Sequence, residues 1–148
     1  MDNPDVRVVS LSEELESQVL RISIHERQEQ FHPSIRSSID LARQYEDAQL
    51  LAILAEEYVC GFALYGVDLE TGKWKIFRLL IDKEFQGKGI GKRAMSQILQ
   101  KLRQEENADE VLLVVNAENF VAVHIYQALG FVQYGVRDDK LLMKAFLR

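Results

Sequence analysis

The sequence predicts an α/β (α+β) fold on a mixed sheet, antiparallel in the middle and with one parallel pair. Three observations lead there. Strand-like apolar runs and helical stripes follow one another in the order β-α-α-β-β-β-α-β-α-β-β. Turns at Glu56–Glu57 and in "DLETG" join consecutive strands as hairpins. Finally, "KWKIFRLLID" is followed by a helical stripe and then by "VLLVV", a β-α-β unit whose crossover makes its two strands parallel.

Each element has a local reason. "VRVVSL" alternates and reads as the first strand. Ser10 with Glu13 makes a capping-box pattern before Leu15, Val19 and Ile22, which recur at helical spacing. The polar segment "HERQEQF" has no clear period. Pro33 can open a second helix with Ile35, Ile39 and Ala42 on one face. "QLLAILA" and "YVCGFALYG" form a hairpin whose turn has no glycine, whereas Gly72 suits the next one. Ala94, Met95, Ile98, Leu99 and Leu102 then mark an amphipathic helix. Asn119 can cap the following helix, which carries Ala122 and Tyr126 inward and ends at Gly130. "FVQYGV" and "KLLMKAFL" close the sheet.

Composition narrows the function. A chain of 148 residues, 47 % hydrophobic and 28 % charged, fits a single domain over residues 1–148 with a real core. No apolar stretch approaches the ~20 residues a membrane span needs, and "MDNPDVRVVS" is not a signal peptide. These features point to a cytoplasmic protein. The lone Cys60 reads as a core residue, and His and Cys show no metal-ligand spacing. Residues 1–50 hold ten acids against five arginines, and residues 51–148 hold thirteen of each sign. The first third therefore carries the whole net charge of −5. That disfavours nucleic acid and suits a cationic ligand, although a solubilising surface explains the charge as well.

The segment "DKEFQGKGIGKRAM" carries the strongest chemical signal. Glycines at 87, 89 and 91 lie between a strand and a helix. Helix-start N–H groups lack partners and carry partial positive charge, and glycines let a phosphate reach them. The segment is thus an anion cradle, with Lys88, Lys92 and Arg93 adding full charges. The nucleotide-triphosphate loop is excluded, because Gln86 stands at its first glycine and Arg93 follows Gly91-Lys92. The dinucleotide fingerprint fails at Lys92. What remains is Q-x-x-G-x-G over Gln86–Gly91.

"LLIDKEFQGKGIGKRAM" resembles the acetyl-coenzyme A signature of the GCN5-related N-acetyltransferases (GNAT). "NFVAVHIYQALGF" is similar to that family's second signature, N-x-x-A-x-x-x-Y-x-x-x-G-F. "GFALYG" and the Gln-rich "HERQEQF" resemble bacterial spermine/spermidine acetyltransferases. The resemblance covers essentially the whole chain. It implies a sheet of about seven strands flanked by four helices, with a β-bulged, splayed central pair. It also implies acetyl-CoA as co-substrate, without a metal. The pantetheine arm would run along the backbone of Leu79, Leu80 and Ile81, as an added strand does. The pyrophosphate would sit on the N–H groups of Gly87, Lys88, Gly89, Ile90, Gly91 and Lys92, and Asn119 would contact the cofactor with its side chain.

Tyr126 is the candidate catalytic acid. A thiol ionises near 8.5 and a phenol near 10, so the phenol can protonate a leaving thiolate at modest cost. Helical spacing alone also fits a core tyrosine. Many family members carry a carboxylate on the strand before the glycine turn, to take the amine's proton. Here "WKIFRLLI" has no acid, which leaves the base unassigned. Glu26 and Glu29 lie where the family shapes its acceptor pocket. His124, two residues from Tyr126, faces away on the helix; nothing places His25 or His32. The expected reaction is direct transfer from acetyl-CoA to a primary amine through a tetrahedral intermediate, with spermidine or spermine preferred. Peptide or protein amines are the alternative acceptors. A coenzyme A-binding module without activity is a third reading. The resemblance also allows a homodimer through the last strands, with "KLLMKAFLR" as the pairing segment.

Overall fold

The computed structural model describes residues 4–24 and 34–148. One seven-stranded sheet runs through them, in spatial order β1-β2-β3-β4-β5-β7-β6. The strands are β1 (Val6–Ser10), β2 (Gln49–Ala55), β3 (Tyr58–Val67), β4 (Trp74–Ile81), β5 (Glu110–Asn116), β6 (Val132–Arg137) and β7 (Lys140–Phe146). The helices are α1 (Glu13–Val19), α2 (Ile35–Ala42), α3 (Ile90–Gln104) and α4 (Phe120–Ala128), with a 3₁₀ turn at Lys83–Phe85. The expected element order is observed.

Alternation along the strands sends side chains to two cores. On one face Ile53, Ala63, Ile76, Val111, Leu113 and Met143 pack with Ile90, Ala94, Met95, Ile98 and Leu102 of α3. Cys60 lies in this core, fully buried and unpaired. On the other face Ala52, Leu54, Phe62, Leu64 and Leu80 pack with Val19 of α1 and Ile39 and Ala42 of α2.

Two local expectations change. Ser10 does not cap α1, because it ends β1 opposite Leu51; Ser12 is the cap, accepting from the Leu15 N–H at 3.3 Å. The α1 helix stops at Val19, so Ile22 lies beyond it. Ser34 caps α2, accepting from the Ser37 N–H at 3.1 Å, and Pro33 lies outside the described residues. The glycine-free hairpin turn is made by Glu56 at φ 55°. Its N–H donates to the Asp5 carbonyl at 2.8 Å, and its carboxylate accepts from the Asp5 N–H at 3.0 Å. These bonds hold a backbone conformation that a side chain disfavours.

β7, the last strand in sequence, pairs with β5 on one side and β6 on the other. "KLLMKAFLR" therefore has no free edge for a second copy; among the described strands the free edges belong to β1 and β6. Among the described residues no helix is long and apolar enough to cross a membrane.

What positions the site is the relation of β4 to its neighbours. The β3–β4 ladder slips between Leu64 and Tyr65, which face Arg78 and Ile76. Phe77 is the extra residue, a β-bulge. Immediately beyond the bulge β4 leaves β5: their parallel pairing consists of Lys75 with Leu112 and Ile76 with Leu113. From Phe77 to Ile81 the β5-facing edge of β4 has no strand beside it. The expected bulged and splayed central pair is this feature.

Candidate active site

The glycine turn is built to present bare amides. Gly87 and Gly89 adopt φ 79° and 75°, conformations that cost a side chain energy. Gly89 is the N-cap of α3 and offers no side chain to its first turn. Among the described residues, no amide from Gly87 to Lys92 donates to a protein acceptor. The loop carbonyls, by contrast, are held from behind. Arg93 donates to the carbonyls of Lys88 at 2.9 Å and Gly89 at 3.3 Å, and also to that of Pro4. Arg93 thus fastens the back of the turn instead of charging its mouth. Gln86 fastens the other end, donating to the Ile81 carbonyl at 2.8 Å.

These amides open on a cleft of about 470 Å³. Of the residues expected at the cofactor, Leu79, Leu80, Ile81, Gly87, Gly89, Ile90, Gly91, Lys92 and Asn119 line it, and so does Tyr126. Lys88 does not; its ammonium lies 6.0 Å from the Phe85 ring centre. Lys92 is the one charged side chain on this lining among the described residues. The cleft is therefore apolar along its length and positive at one end, which fits a ligand with an anionic head and an uncharged arm. Asn119 is 8 % exposed, and its side chain accepts from the Ala122 N–H at 3.4 Å, so it caps α4 as well as facing the cleft.

Tyr126 stands where this cleft meets the gap between β4 and β5, lining both. Its ring leans on Phe131 at 5.7 Å between centres. Burial pushes its phenol up to about 12. The group stays protonated through the neutral range and is a poorer acid than an ordinary phenol. Full proton transfer to a thiolate of pKa near 8.5 is then uphill. The chemistry that suits this hydroxyl is hydrogen-bond donation to a leaving sulfur, not complete protonation of it.

A second cavity of about 240 Å³ lies on the α1/α2 face. Phe77 and Arg78 line both this cavity and the gap. Asp47 and Asp68 line the second cavity only. These two acids and Arg78 were not singled out from sequence, because only the fold and the bulge bring them to one wall. Glu26, Glu29, His25 and His32 lie outside the described residues. His124 is exposed. Among the described residues no cluster of His, Cys, Asp or Glu could hold a metal.

The profile of the acetyltransferase (GNAT) family matches residues 17–131. The chain belongs to this family. A GNAT member is an acetyl-CoA-dependent N-acetyltransferase, and the bare amides and apolar cleft suit that co-substrate. A probable spermine N(1)-acetyltransferase of Bacillus subtilis subsp. natto is 24 % identical over 94 % of this chain and 97 % of its own length. The [ribosomal protein bS18]-alanine N-acetyltransferase of Salmonella typhimurium is 26 % identical over 60 % of this chain and 58 % of its own. The spermidine N-acetyltransferase of Vibrio cholerae, solved with CoA and spermine, shares the fold with a TM-score of 0.77. It is 16 % identical and covers 96 % of this chain and 95 % of its own.

Proposed function

We propose that this GNAT enzyme acetylates a primary amine of a polyamine, spermidine or spermine. One observation carries the reading: the gap beside β4 shares Asn119 and Tyr126 with the amide-lined cleft, and Phe77 and Arg78 with a second, acidic cavity. The cleft has bare amides and apolar walls. The second cavity holds the carboxylates of Asp47 and Asp68. The acidic first third of the chain and the names of the relatives support the same acceptor.

Bound acetyl-CoA would supply a thioester whose C–S bond breaks as the amine forms its N–C bond. The amides of Gly87 to Lys92 hold the diphosphate, and the free edge of Leu79–Ile81 holds the arm through main-chain bonds. Asn119 steadies the start of α4 and so fixes Tyr126. The Tyr126 hydroxyl donates to the departing sulfur. The amine gives up one proton before attack and a second as the amide forms; the first passes to solvent and the second ends on the thiol. Glu26 and Glu29 complete the acceptor side in this reading.

The bS18-alanine relative favours a second acceptor class, a peptide or protein amine. A panel of small amines and peptides, read by thiol release, separates the two. Polyamine turnover that weakens with salt is expected. Peptide turnover without polyamine turnover overturns the substrate and keeps the reaction. Coenzyme A binding with no release for any amine overturns the reaction.

A further inference from the structure

An alkyl ammonium with pKa near 10.4 is neutral in about one molecule per few thousand at pH 7, and the free amine is the nucleophile. β4 offers no carboxylate to take the proton. At the bulge, on the lining of both the gap and the second cavity, it offers Arg78 instead. This guanidinium is the only charged side chain on the lining of the gap among the described residues. One of its nitrogens donates to the Phe77 carbonyl at 2.6 Å, while Nε is buried with no partner. Among the described residues it forms no ion pair. A charge held without a counter-ion in a half-buried wall acts strongly on whatever comes beside it.

Resting on the amine-transfer reading above, we infer that Arg78 holds the reacting nitrogen of the acceptor in its neutral form by charge repulsion, in place of a general base. The ammonium N–H breaks as the acceptor enters, and the proton leaves to water through the open cavity.

The surrounding charges give the cavity a polarity that suits a molecule with more than one amine. Arg78 lies opposite Leu64 of β3. Asp68 is four residues further along that strand's direction, roughly 13 Å away at strand rise. Asp47, from the segment between α2 and β2, lies beside Gly66, between those two levels. A distal ammonium is stabilised at the aspartates while the proximal one is destabilised at Arg78. Among the described residues, the other titratable groups lining these spaces are Tyr45 and Tyr126, and Lys75 stands next to Phe77. Lys75 lies 5.3 Å from the Phe77 ring centre and adds to the repulsion. Tyr126 stays neutral in the working range, since burial pushes it to about 12. Burial also lowers Arg78's own value, yet an arginine starts so high that it remains charged.

Two measurements test this. The first needs no turnover: calorimetry of spermidine binding to the CoA-loaded enzyme, in buffers of different ionisation enthalpy, counts protons released. Unit charges about 5–6 Å apart at moderate dielectric shift an ammonium by roughly two units. At pH 9 the wild type should release more than half a proton per spermidine, Arg78→Gln close to none, and Arg78→Lys nearly the wild-type number. The second is kcat against pH, which reports the bound complex. Its acid limb should rise by roughly two units in Arg78→Gln, so that kcat at pH 8 falls about 30- to 100-fold, with Arg78→Lys restoring it. Unchanged coenzyme A affinity shows that the variants are folded. Equal proton release and equal limbs in wild type and Arg78→Gln overturn the inference while acetyl transfer stands. A wild type that acetylates no amine overturns the amine-transfer reading beneath it.

Discussion

Tyr126 combines two demands that single residues seldom meet together. Its ring packs on Phe131, and the residue lines both the cleft and the gap beside β4. Tyr126→Phe keeps the packing and removes the donor. We expect coenzyme A affinity to hold within about twofold while kcat falls roughly 10²-fold; stopped assays and calorimetry on one preparation check both. Unchanged kcat would remove the hydroxyl from the chemistry. Tyr126 and Asn119 are legible in the sequence because both lie on one short helix with fixed spacing. Arg78, Asp47 and Asp68 are not. They come from three segments, and the bulge at Phe77 that sets Arg78's direction leaves no mark in a pattern of hydrophobic residues.

At the scale of elements, the start of α3 is the proposed seat of the diphosphate. Gly89 holds a left-handed turn and gives α3 no side-chain cap, so the amides of its first turn remain available. Gly89→Ala places a side chain on that conformation at a cost of about 1–2 kcal/mol. The expected result is a lower urea midpoint together with weaker coenzyme A binding. An alanine enzyme with unaltered affinity would show that these amides do not hold the diphosphate. The motif made this element readable from sequence, but not the part played by Arg93, whose charge pointed to the phosphate and whose side chain holds the turn's carbonyls instead.

At the scale of the molecule, two well-packed cores set the response to alkali. Cys60 is raised to about 11 by burial and then by the negative charge of Asp82, and Tyr65 and Tyr126 are each raised to about 12, chiefly by burial. A raised value means that the folded chain keeps protons the unfolded chain has already lost. The stability from these groups is complete below about pH 9 and drains away as pH climbs through 11 and 12. Urea midpoints should therefore fall between pH 9 and 11, and Cys60→Ala should remove the earliest part of that fall. A flat profile would mean that these groups are not buried as described. The order of elements along the chain was readable because local periods fix it. The insertion of β7 between β5 and β6 was not, since strand neighbours are chosen by long-range pairing that short patterns do not encode.

The parting of β4 from β5 leaves main-chain groups without partners in mid-sheet. Such groups at an outer edge would invite strands from other molecules and, with them, aggregation. Here β5 and the start of α4 flank the opening, so an intruding polypeptide with side chains on both faces meets walls on either side. A slim unbranched chain meets none. The fold thereby keeps an adhesive surface inside itself, where it selects visitors by thickness before any chemistry begins.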